Sequence, residues 1–287
     1  MPERGTKLTP TLLVGFDSAW TAANTGGLAG VLREEGGRCR ELGLPDATNF
    51  ENAAVRIASW REACRPRRTV ILIDQPTIVR NANGQRPVEH LIASPVSRRR
   101  GGMQPANTGR LGMFDADAPI WTFLACFGGT LDPLDCEHAD PVIVETYPTL
   151  ALIALGWLRE DVRPSGRLPK YNPARPTFLL DDWRWVCGRL AEALEHFGLV
   201  DIPRWLRQQE QRDTRPCKAD QDGVDSCLCL LTAFHLEAKL PCLRVGNRES
   251  GLIVVPDNAA LREELAARCE ATGRIAADCI REVRVFC

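Results

Sequence analysis

Three apolar runs in this sequence end in an acid: TLLVGFD closes on Asp17, TVILID on Asp74 and VIVE on Glu145. A carboxylate at the buried end of a strand is costly unless something positive meets it. Aspartate also suits turns and helix starts, which would account for one such acid more easily than for a recurring set. Asp74 and Glu145 are each followed closely by a proline, Pro76 and Pro148, so the two segments share one design. A fourth acidic element is DGVDS, where Asp222 and Asp225 are spaced i, i+3 and share a helix face. Val224, Leu228 and Leu231 form the apolar stripe of that helix, and Asp225 borders it. Negative charge near a helix N-terminus is itself favourable, which is the simpler account of Asp222. Hard oxygen ligands in such numbers suit Mg²⁺ or Mn²⁺. The candidate metal ligands are Asp17, Asp74, Glu145, Asp222 and Asp225, with Asp17, Asp74, Glu145 and Asp225 as the candidate catalytic acids.

These acids need a frame that brings them together. Continuous apolar character predicts strands over 11–16, 69–76 and 141–148, and turn signals predict two further strands over 26–34 and 38–44. Helical spacing predicts helices over 48–64, 118–127, 149–156, 177–196, 221–238 and 258–272, with a late strand at 251–255. Prolines and glycines make 77–140 read as an irregular insertion, and 203–218 reads as a polar, basic connection. Hairpin-joined strands run antiparallel and helix-joined strands parallel, so the order implies a mixed sheet with helices on its faces. If strands 1, 4 and 5 are parallel, Asp17, Asp74 and Glu145 stand at their carboxyl ends, the edge where open α/β sheets bind ligands. The expected organisation is one elaborated domain, with a core over 11–76 and 141–255, the insertion, and an extension over 256–287.

Basic residues lie close to the acids in sequence. Between positions 80 and 110 there are six arginines (Arg80, Arg86, Arg98, Arg99, Arg100, Arg110) against the single acid Glu89, in a segment leaving directly after Asp74. A solvated loop is the plain reading of such a run, but arginine forks also match phosphate oxygens. Arg80, Arg98, Arg99 and Arg100, with Lys170 and Lys218, are the candidate substrate-binding residues. Trp20 and Trp121 could stack on bases or simply fill the core.

Asp17 in VGFDSAW, Asp74 in ILIDQP, Glu145 in VIVETYP, the DGVDS helix and the late GLIVVP run resemble the family catalogued as domain of unknown function 429. The resemblance covers about residues 11–255. It implies a ribonuclease H-like fold with a five-stranded mixed sheet, and a nuclease whose carboxylate cluster binds Mg²⁺ or Mn²⁺ for phosphodiester hydrolysis. The partner implied is DNA or RNA. Two ions about 4 Å apart, bridged by an acid such as Asp17, would activate water on one side of the phosphate and stabilise the leaving oxygen on the other. Relatives often place a histidine or second acid just before the helix aspartate, where this chain has Asp222, and SAWTAANTGG stands in place of a glycine-rich turn after Asp17.

Composition narrows the other classes. With 44% hydrophobic residues, 25% charged residues and a formal net charge of −1, this is an ordinary globular composition, and an anionic partner must be met by a local patch. The start MPERGTKLTP, followed by a six-residue apolar run, is too short for a signal-peptide core or a membrane span, so a cytoplasmic location is expected. The 12 cysteines are scattered and read as reduced thiols; Leu228 separates Cys227 from Cys229, and Cys136 with His138 is no stronger a zinc site. An actin-like phosphotransferase would need phosphate loops such as G-x-x-x-x-G-K-[ST], which are missing, and a serine hydrolase would need a G-x-S-x-G elbow. A ribonuclease H-like module that binds nucleic acid or protein without catalysis remains the alternative to an enzyme.

Overall fold

The computed structural model describes residues 10–135 and 139–283; the Cys136–His138 pair lies outside them. The main sheet has six strands: β1 (Thr11–Asp17), β2 (Gly26–Arg33), β3 (Cys39–Glu41), β4 (Asp46–Thr48), β5 (Arg68–Ile73) and β6 (Val142–Glu145). Its order is β3-β2-β1-β5-β6, and β4 pairs with the opposite end of β2 from β3. β1 is antiparallel to β2 and parallel to β5, and β5 is parallel to β6. This is the mixed sheet with the three parallel strands side by side, though with one strand more than five.

Strand alternation sorts the side chains into two cores. Leu12, Val14, Phe16, Ile71, Ile73 and Ile143 face α1 (Phe50–Cys64) and α3 (Pro119–Phe127). Leu13, Val70, Leu72, Val142 and Val144 face the larger core, built with α2 (Pro87–Arg98), α4 (Pro148–Ala154), α5 (Leu180–Glu195), α6 (Asp201–Glu210) and α7 (Lys218–Glu237). Burial on both faces is why these strands read as continuous apolar runs.

Two helices break the expected pattern. Residues 87–98 are not irregular: Pro87 sits at the first helical position, where its missing N–H costs nothing, and the Glu89 carboxylate accepts from the Arg86 N–H at 3.0 Å. Residues 201–210 form α6, which places Ile202, Pro203 and Leu206 inward despite a polar composition. The strand expected at 251–255 does form, as β8 (Gly251–Pro256), but not in the main sheet. It pairs with β7 (Cys242–Asn247), which pairs in turn with β9 (Ile280–Val283), in a separate antiparallel sheet. α8 (Ala259–Ala271) and α9 (Ala276–Cys279) complete the order. No helix among the described residues is long and apolar enough to cross a membrane.

Candidate functional site

α7 lies directly on the sheet because two strands carry glycine beneath it. A Cβ at Gly15 would come within 2.0 Å of the Ser226 carbonyl oxygen, and one at Gly27 within 2.1 Å of the Asp222 carbonyl oxygen. Only hydrogen at these positions lets helix backbone meet strand backbone. α7 also starts one turn earlier than its apolar stripe suggests, at Lys218. The acid serving its N-terminus is therefore Asp220, whose carboxylate accepts from the Cys217 N–H at 2.8 Å, and not Asp222. Asp222 and Asp225 fall inside the helix, both buried, above the ends of β1 and β2.

At that edge a cavity of about 1130 Å³ opens, with Asp17, Asp74, Glu145, Asp222 and Asp225 all in its lining. These acids act on one another. Asp17, only 6% exposed, has its carboxyl held well above the ordinary range by burial first, then by the charges of Asp225 and Asp74. Asp74 is raised for the same reasons: burial, then Asp225 and Glu145. Among the described residues no hydrogen-bond donor reaches either carboxylate, and the charge that opposes the rise of both is that of Lys218. Asp225 is held instead by two donors, the Tyr171 hydroxyl to Oδ1 at 2.6 Å and the Gln221 amide to Oδ2 at 2.5 Å. Burial raises its carboxyl to about 6, against the pull of Tyr171, Lys218 and Gln221.

The other two acids are committed elsewhere. Phe16 pairs with Ile73 and Ile73 with Glu145, so the β6 residue level with Asp17 and Asp74 is Thr146. Glu145 is one residue out of row, although it lines the same cavity and its charge still reaches Asp74. Both its oxygens are taken by the buried Arg86 guanidinium, at 2.8 and 2.6 Å, and Arg86 also bonds Glu89 at 2.8 Å. Asp222 is ion-paired with Lys218. In this arrangement no group of three His, Cys, Asp or Glu side chains among the described residues is poised as a metal cage. The expected five-ligand, two-ion cage is therefore not preformed, because the register and two internal cations remove Glu145 and Asp222.

The basic residues divide similarly. Lys170, Lys218 and Arg100 line the cavity, with Lys170 donating to the Arg100 carbonyl. Arg98 and Arg99 instead pair with Glu264 on α8, and Arg80 is exposed and outside the lining, so the arginine run does not act as one patch. Trp20 lines the cavity, while Trp121 packs on the α1–α3 core with its indole N–H on the Asp115 carbonyl at 2.7 Å. The ten described cysteines are free.

The model of one protein family, described as "Protein of unknown function (DUF429)", matches residues 15–243, most of the chain. The chain belongs to that family. No curated protein and no solved structure matches it. The matched span of this DUF429 chain covers all five acids of the cavity and stops within β7, short of β8.

Tyr171, Gln221 and Arg175, all in the cavity lining, are absent from the acids and bases that the spacing picks out. Tyr171 lies in a proline-rich connection without periodicity, and only its neighbour Lys170 draws attention to it. The Tyr171 bond favours the ionised form of Asp225, so Tyr171→Phe is expected to move the Asp225 titration upward from about 6 and to cost about 0.5–1.5 kcal/mol of stability. Carboxyl-carbon NMR against pH reads the first effect, and an unchanged midpoint would refute it.

Proposed function

We propose that this protein is a metal-dependent phosphodiesterase acting on nucleic acid, on a ribonuclease H-like sheet. The observation that carries the reading is the pair Asp17, buried, and Asp74, half-buried: each carboxyl is raised by desolvation and then by its neighbours' charges, neither has a donor of its own, and both line a large cavity edged by lysines and arginines. The path β3-β2-β1-β5-β6, antiparallel and then parallel, supports the ribonuclease H-like assignment.

The donor set fits one hard dication better than two. Mg²⁺ is commonly bound by one or two carboxylates together with water and substrate phosphates, without a full protein cage. Asp17 and Asp74 can serve as those carboxylates, with Asp225 as a third neighbour oriented by Tyr171 and Gln221. A bound Mg²⁺ or Mn²⁺ would polarise a phosphoryl oxygen there. Lys170, Lys218 and Arg175 are positioned in the lining to hold the anionic backbone, and the raised Asp225 carboxyl suits proton exchange with an attacking water near neutral pH. Neither expected role of Glu145, ligand or catalyst, is needed; it anchors Arg86.

The test is incubation of the purified protein with Mn²⁺ and a panel of single-stranded, duplex and branched DNA and RNA. Cleavage by the wild type and its loss in Asp17→Asn and Asp225→Asn are expected. No cleavage of any substrate, or equal cleavage by both variants, would refute the reading. Tight nucleic-acid binding without metal-dependent product would favour the non-catalytic module, a second reading to which the missing three-acid cage lends weight.

A further inference from the structure

Lys218 stands where helix electrostatics argue against a lysine. It is the first residue of α7, at the positive end of the helix dipole, and it pairs with Asp222 in the less favourable i, i+4 order, base before acid. What holds it is the cavity. Four carboxylates (Asp17, Asp74, Asp222, Asp225) share this end of the lining, and the other cations of the lining point their charge elsewhere: Arg86 to Glu145 and Glu89, Arg100 to Asp161, Lys170 to a main-chain carbonyl. Arg175 lies on the exposed rim. The Lys218 side chain is 56% exposed while its partner Asp222 is 3% exposed, so the acid is fixed and the ammonium is on a flexible stem with solvent to move into. Asp17, buried and without a donor, supplies the second mark of a ligand site beyond the clustering of acids.

From this geometry we infer that Lys218 is the resident counter-ion of the site, holding the place of the divalent cation in the free protein and yielding it when the cation binds, after which its ammonium is free to take a substrate phosphate. The inference rests on the function proposed above. A dication and an ammonium within a few ångströms of each other repel, so the lysine lowers the protein's affinity for the ion and raises its selectivity for ion and phosphate arriving together.

The experiment is calorimetric titration of Mn²⁺ alone into the wild type, Lys218→Met, Lys218→Gln, Lys218→Arg and Asp17→Asn, each checked for folding by circular dichroism. Both neutral variants are expected to bind Mn²⁺ on the order of tenfold more tightly than the wild type, Lys218→Arg to bind like the wild type, and Asp17→Asn to lose binding. Inorganic phosphate, titrated into the Mn²⁺-loaded proteins, is expected to bind more weakly to the neutral variants. Equal Mn²⁺ affinity in the wild type and both neutral variants, with binding still lost in Asp17→Asn, would overturn the role of Lys218 and leave the metal site standing. Absence of Mn²⁺ binding in every protein, or binding indifferent to Asp17→Asn, would overturn both.

Discussion

Arg86→Ala should destabilise the protein by about 3–5 kcal/mol, because it leaves Glu145 and Glu89 buried without their shared cation. Against a typical total of about 5–15 kcal/mol this is a large fraction. The arginine is 2% exposed and contacts both acids, and it also donates to the Ile78 carbonyl at 3.1 Å; Glu89 in turn accepts from the Ala106 N–H at 3.1 and 3.2 Å. One guanidinium thus ties the end of β6, the start of α2 and the 100–106 segment into one piece. Urea denaturation checks the expectation. A companion Arg86→Met/Glu145→Gln/Glu89→Gln triple variant should recover much of the loss, since removing every charge together avoids the uncompensated ones. A loss under 1 kcal/mol for the single variant would show that water reaches these acids and that the network is not buried in solution.

The second large effect concerns pH. In the folded chain Asp17, Asp74 and Asp225 bind protons more tightly than in the unfolded chain, Asp225 up to about 6 against 3.8. Over that window the native state carries more protons than the unfolded one, so stability falls as pH rises. The contribution of Asp225 is full below about pH 4 and is lost as pH passes through about 6. The metal-free protein should therefore melt at a higher temperature near pH 5 than near pH 8. Asp17→Asn should flatten this slope and stabilise the protein at pH 8 by on the order of 1–3 kcal/mol, as removal of a strained functional acid often does. Mn²⁺ at pH 8 should raise the melting temperature of the wild type and leave that of Asp17→Asn in place. Melting curves of both proteins at several pH values decide it; a wild type that is more stable at pH 8 than at pH 5 would contradict the mutual repulsion of the three acids.

Much of this arrangement can be read before any coordinates, and the reasons are local. β1, β5 and β6 are legible because burial on both faces turns them into unbroken apolar runs. Asp17 and Asp74 are legible because the same ending recurs, and turn or capping preference accounts for one such acid more easily than for a set. Glu145 shows where the reading stops: its position at the same edge follows from its strand, but the one-residue offset is set by pairing between β5 and β6, which leaves no local mark. α2 is hidden because Pro87 and Pro95 look like breakers, although a proline in the first helical turn is no obstacle. α6 is hidden by a polar composition around Ile202, Pro203 and Leu206. The division of the arginines depends on Glu264 and Asp161, acids remote in sequence from the bases they occupy.

The seam at Gly15 and Gly27 carries a further meaning. The spacing between Asp225 and Asp17 is established by main chain pressed on main chain, so it is indifferent to what decorates the rim. Directed evolution of this scaffold could recolour the mouth of the cavity freely to change what enters, while a single methyl group beneath the helix would shift the reactive centre for every ligand at once.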